Sequence, residues 1–194
     1  MWNKIVDFFK APIFPGDEEK TRQARALQAL HINMGAAILI LGFLGVVFVF
    51  KEKAITSLIL LIALIIVFTG MILNRRGHVR VDGILMMAAL WTTAVLMTSL
   101  SGGIRSLDII FFVSGTVIAG IILGAKGALH FAILSLMTGL GLIVAESAGV
   151  VFPHVFTFPP VSVWVILFIN LVFTVVPMRV ALQSLSDSAS RAHR

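Results

Sequence analysis

Residues 54–73 read AITSLILLIALIIVFTGMIL, twenty consecutive positions without a charged side chain. A helix of that length rises about 1.5 Å per residue and so covers roughly the 30 Å thickness of bilayer hydrocarbon. An amphipathic helix on a soluble core would return a polar face every three or four residues, and this stretch has none. Working outward, comparable apolar runs occupy 27–50, 81–100, 109–123, 128–148 and 161–178. The sequence therefore predicts an all-α integral membrane protein, a six-transmembrane-helix bundle.

Composition points the same way. Of the 194 residues, 59% are hydrophobic and 12% charged, with a mean hydropathy of +1.05, where a soluble domain carries about a quarter charged residues. Cysteine is absent, which excludes a disulfide framework, a thiolate metal site and a cysteine nucleophile. The net charge of +6 sits in short clusters at the ends of the apolar runs, a topology signal rather than a nucleic-acid-binding stripe.

Residues 1–16 read as an interfacial amphipathic helix and linker. Trp2, Ile5, Val6 and Phe9 recur at helical spacing between Lys4, Asp7 and Lys10, and Pro12 and Pro15 end the pattern. Asp17 is placed to cap a helix with Glu18 and Glu19 in its first turn, running without a stop into the first span. Residues 17–179 form the transmembrane domain, and 180–194 begin a cytoplasmic helix.

The basic residues orient the bundle. Assigning connections alternately to two sides puts Lys4, Lys10, Lys20, Arg22, Arg25, Arg75, Arg76, Arg80, Lys126, Arg179, Arg191 and Arg194 together, which leaves Lys51, Lys53 and Arg105 of the 15 opposite. By the positive-inside rule both termini are cytoplasmic. Small residues four apart, Gly120 with Gly124 and Ser135 with Gly139, the latter preceded by Ala128 and Ala132, are expected to let helix backbones pack closely.

Ionisable groups within the spans are few, and Asp82, Asp108 and Glu146 fall at span ends. That disfavours a charged relay for transport. His31 and His130 each begin a span without a second His or carboxylate three or four residues away, so they read as interfacial histidines rather than metal ligands. No metalloprotease, nucleophile-elbow, P-loop or dinucleotide motif is present. The chain predicts no catalytic residue, metal or cofactor of its own. Asn170 lies in the sixth span with Thr174 and Pro177 on the same face, and Pro177 removes a backbone hydrogen bond near the end of that span. Asn170 and Pro177 are the candidate output residues.

One cluster on the non-cytoplasmic side is a candidate ligand site. The loop Ser101-Gly102-Gly103-Ile104-Arg105-Ser106 lies near Asp108 and Glu146, and a Pro- and Phe-rich loop, 150–160, contributes Phe152, Phe156 and Phe158. Arg105 either pairs with Asp108 or Glu146 to tie helices together, or joins them, Gly102, Gly103 and Phe156 in a cleft for a small amphipathic or lipid-like molecule.

The run PGDEEKTRQA before the first span, the SGGIRS loop and the stretch GAKGALHFAILSLMTGLGLIVAES resemble the six-span N-terminal membrane input domain of bacterial sensor histidine kinases and related signalling proteins. The resemblance implies a sensing domain that passes a signal through its sixth span to a cytoplasmic output module. It also implies a two-component system, a bacterial inner-membrane location and a homodimer in the full-length context. RVALQSLSDSASRAHR is similar to the start of the family's signalling helix. The phosphoacceptor His and ATP-binding segments of the kinases are absent from these 194 residues, so no enzymatic activity is expected of them. The alternative from the residues alone is a small six-helix permease or channel.

Overall fold

A computed structural model describes residues 9–44, 53–153, 164, 167–172, 174–179 and 182, with side chains at 41–57, 59 and 60 left aside. The expected interfacial helix, most of the 150–160 loop with Phe156 and Phe158, and nearly all of the 180–194 tail lie outside the described residues. Among the described residues the secondary structure is helical, with no strand. The elements are α1 (Glu18–Leu44), α2 (Lys53–Arg75), α3 (Val79–Leu100), two short 3-10 turns (Gly103–Arg105 and Leu107–Ile109), α4 (Ile110–Ser147) and α5 (Leu167–Arg179).

α1 begins where its capping chemistry requires. Asp17 Oδ1 accepts the Lys20 amide at 2.9 Å, and Glu18 and Glu19 fill the first turn, both favourable at a helix N-terminus. The preceding Pro-Gly turn is tied down by Thr21, whose hydroxyl accepts from the Phe14 amide at 2.9 Å and donates to the Asp17 carbonyl at 2.9 Å. Lys20 Nζ lies 4.6 Å from the centroid of the Phe14 ring, a cation–π contact.

α1 and α2 run antiparallel. Asn74 Nδ2 donates to the Ala24 carbonyl at 3.0 Å, His31 lies against Gly70, and Gly35 faces Val67, so positions rise along α1 as they fall along α2. α2 ends in a Schellman motif: the His78 amide returns to the Leu73 carbonyl and the Gly77 amide to that of Asn74, at 3.0 and 3.1 Å. Gly77 holds the required left-handed conformation, φ +82°. The chain then turns at once into α3.

α4 is not one straight rod. Gly124 has φ 75° and ψ −174°, a region open essentially to glycine alone. In a straight helix residues 115 and 131 would lie about 24 Å apart, yet a methyl built at Gly115 would come 2.4 Å from the Phe131 ring, and one built at Gly120 3.4 Å from the Ala128 Cβ. The two arms, 110–123 and 125–147, fold back on each other. Gly124, expected to be a packing residue, is instead the reversal point. Gly120 and Ala128 do meet, as small residues packed between the arms.

The interior holds apolar side chains such as Leu27, Leu30, Met86, Ile118 and Ile122, but polar ones are buried with them and broad apolar surface is left outside. His31, Asn74, Asp82 and Thr98 are fully buried and Gln28, Asp108 and Asn170 nearly so, while Leu61, Ile65, Phe68, Ile72, Ile84, Leu136, Met137 and Leu140 are exposed. Hydroxyls along the helices are turned back onto the chain: Thr69, Thr116, Ser135 and Thr138 each donate to the carbonyl four residues earlier at 2.8 Å. Among the described residues, Val79–Leu100 and Leu107–Ser147 are long and apolar enough to cross a membrane, and only 28% and 33% of their most apolar windows are buried.

The described residues of Met1–Met86 and Val175–Arg194 fall in one compact unit and those of Met87–Thr174 in another. Each holds its own polar cluster.

Candidate functional site

In the second unit the 101–106 loop closes around Glu146, near the C-terminus of α4. Glu146 Oε1 accepts the Ile104 amide at 3.2 Å. A methyl built at Gly103 would lie 2.5 Å from that oxygen and 2.8 Å from the Phe152 ring, so the close approach of loop, carboxylate and ring depends on glycine. Arg105 reaches Glu146 at only 3.9 Å and is 87% exposed on its side chain. Such a pair contributes roughly 0–1 kcal/mol. The guanidinium is thus exposed rather than enclosed by the loop.

Asp108 does not join this group. Its carboxylate accepts from the Ser106 hydroxyl at 2.8 Å, and that oxygen accepts the Asp108 amide at 3.1 Å. The exchange caps the second 3-10 turn and occupies a side chain that is almost fully buried. Of the candidate residues, the structure brings together Arg105, Gly103 and Glu146, with Phe152 added; Gly102, at the loop's start, holds the left-handed conformation that leads into Gly103. Phe156 lies outside the described residues.

A second polar contact in this unit involves α5. The Ser114 hydroxyl donates to Asn170 Oδ1, joining the first arm of α4 to α5, and the Asn170 carbonyl accepts from the Thr174 hydroxyl at 3.0 Å. Asn170 is 4% exposed, and its Nδ2 has no hydrogen-bond partner among the described residues. Pro177, two turns further along α5, is fully buried.

The first unit holds a cluster that the sequence reading missed. His31 Nε2 lies 3.2 Å from Asp82 Oδ1, and both side chains have 0% exposure. The residues come from α1 and α3, fifty-one positions apart, which is why no local spacing betrays them. Gly70 of α2 makes room: a methyl there would lie 2.3 Å from His31 Nε2 and 2.6 Å from Asp82 Oδ1. Asn74, one turn after Gly70, bonds Ala24 and approaches Gln28 Oε1 at 3.4 Å. His31 is thus enclosed by the helices with Asp82 as its neighbour, a partner that the spacing around it did not announce. His130 does stay exposed, with Nδ1 2.7 Å from the Lys126 carbonyl.

Near the cap of α1, Asp17, Lys20, Gly77, His78 and Arg80 line a cleft of about 330 Å³. Its charges of both signs favour no single ligand class. No group of three His, Cys, Asp or Glu side chains placed to hold a metal occurs among the described residues.

Comparison with protein-family models, with curated proteins and with solved structures yields no match to this chain in any of the three.

Proposed function

We propose that this chain is the membrane-embedded input domain of a two-component-type signalling protein. It crosses the bacterial inner membrane six times with both termini in the cytoplasm, and passes a signal through its sixth span to an output module. The broad exposed apolar surface, with polar groups buried beneath it, supports the membrane part of this reading. A water-soluble fold turns its polar groups outward and seldom exposes broad apolar surface, whereas lipid accepts Leu61, Ile65 and Phe68 on the surface and forces Asp82 and Asn170 inward. The reversal at Gly124 supplies a turn between the fourth and fifth spans, and α5 corresponds to the sixth.

The observation that carries the signalling part is the contact between Ser114 and Asn170. Among the described residues it is a polar bond that links α5, the helix nearest the output, to α4, and it leaves the Asn170 amide group with a donor to offer elsewhere. Interhelical hydrogen bonds in membranes contribute about 0.6–2 kcal/mol, while coupling between a ligand site and a distant response typically amounts to about 1–3 kcal/mol. A stimulus of ordinary strength is therefore comparable to the energy of that bond, the latch. Pro177 gives α5 a place to bend beyond it. The cluster of Gly103, Arg105, Glu146 and Phe152 is the proposed ligand end, open to a small amphipathic or lipid-like molecule, and a homodimer is the proposed assembly. The domain itself is non-catalytic in this reading.

The test is a fusion of the chain to a histidine-kinase output module. Asn170→Leu removes about 1 kcal/mol of latch energy and is expected to shift basal output about fivefold, with membrane insertion unchanged. Output equal to wild type across conditions that switch the parent fusion contradicts the latch.

A further inference from the structure

The pair of His31 and Asp82 has no part in the route through α5, and its placement is costly enough to ask what it does. Two titratable side chains with no exposure meet at 3.2 Å, and neither His31 nitrogen nor either Asp82 oxygen makes a well-formed hydrogen bond among the described residues. The separation is within reach of a shared proton, and the geometry leaves it only loosely fixed. We propose that His31 and Asp82, seated against Gly70, form a proton-binding site that joins α1, α2 and α3.

Charge counting gives the site its behaviour. With one proton between them the two groups are together neutral, whether the proton sits on imidazole or carboxylate. A second proton leaves a net positive charge in a fully buried place, and loss of the first leaves a net negative one, each disfavoured by burial. The surroundings offer little compensation. α2 contributes Gly70 and the neutral Asn74, and α1 contributes Ala24, Leu27 and the neutral Gln28 beside His31. On α3, His78 lies just before the helix and Arg80 in its first turn, both exposed. His31 is the titratable group that acts on the Asp82 carboxylate. Because each partner is carried on a different helix and the third supplies the gap between them, gain or loss of a proton alters how all three fit. The site stands independently of the signalling reading; where both hold, the proton is a stimulus for the domain.

The experiment is a pH titration of the whole chain in lipid nanodiscs, following imidazole nitrogens and carboxyl carbons by NMR. His78 and His130 are exposed and serve as internal references. A proton shared by two coupled groups produces steps that belong to the pair. The expected result is that the His31 and Asp82 signals change in the same steps. Asp82→Asn should remove those shared steps from the His31 signals and leave the His78 and His130 signals in place. His31 and Asp82 changing at unrelated pH values in the wild type, or His31 steps that Asp82→Asn leaves untouched, overturn the proposal. The wild-type comparison decides the matter even where Asp82→Asn fails to fold.

Discussion

Gly70→Val is expected to abolish most of the stability of the folded chain, while Gly35→Ala on the facing helix leaves it intact or raises it. The two glycines sit in the same antiparallel pair, α1 against α2, and differ in what a side chain would meet. At Gly35 the nearest atom to an added methyl is Val67 Cγ1 at 4.0 Å, ordinary contact, and exchanging Gly for Ala inside a helix gains up to about 1 kcal/mol. At Gly70 the same methyl lies 2.3 Å from His31 Nε2 and 2.6 Å from Asp82 Oδ1. Neither neighbour has anywhere polar to go, since both are fully buried. Overpacking alone costs about 1–3 kcal/mol, and separating a buried pair by removing a partner's contact costs about 3–5. A value near 4 kcal/mol or above is expected, because overpacking and separation of the buried pair act together. That approaches the whole stability of a small fold. Reversible unfolding in mixed micelles measures both variants; a Gly70→Val chain as stable as wild type would show that the three helices do not meet as described.

Gly124→Ala is expected to undo the hairpin of α4. Its φ of 75° with ψ of −174° costs a non-glycine residue about 1–3 kcal/mol, and alanine also favours the straight helix by about 1 kcal/mol over glycine. The combined swing is of the order of 2–4 kcal/mol away from the reversal, against packing of Phe131 on Gly115 that alanine leaves unchanged. The absence of native cysteine permits a clean readout. A Cβ at position 120 would lie 3.4 Å from that of Ala128, close to the separation a disulfide requires. Gly120→Cys with Ala128→Cys should therefore cross-link within the monomer, and adding Gly124→Ala should reduce the yield severalfold. Equal cross-linking with and without Gly124→Ala would mean that the turn does not depend on glycine.

Much of the helical organisation was legible because it rests on local features. The cap at Asp17 and the apolar run over 54–73 are short-range patterns, and they correspond to the start of α1 and to α2 (Lys53–Arg75). Gly124 was visible as a residue but not in its role, since small residues four apart read equally as packing spacers and a single glycine does not announce its dihedral angles. The clusters were less legible. Glu146 rather than Asp108 faces Arg105 because Ser106, two residues before Asp108, captures that carboxylate locally, a competition that residue types alone do not rank. His31 looked isolated because a helix reading searches three and four positions away, whereas its partner arrives from another helix through a gap left by Gly70. Asn170 was singled out for its polarity in an apolar stretch, but its partner Ser114 lies 56 residues away, a distance that only the fold closes.

Topology mapping tests the proposed six crossings with both ends in the cytoplasm. Paired reporters, one active only in the cytoplasm and one only outside it, are to be fused after Lys53, Arg80, Arg105, Lys126 and Pro159. The expected order is outside, inside, outside, inside and outside, following the distribution of basic residues. Cytoplasmic activity from the fusion after Arg105, or the same side for the fusions after Arg105 and Lys126, would contradict it.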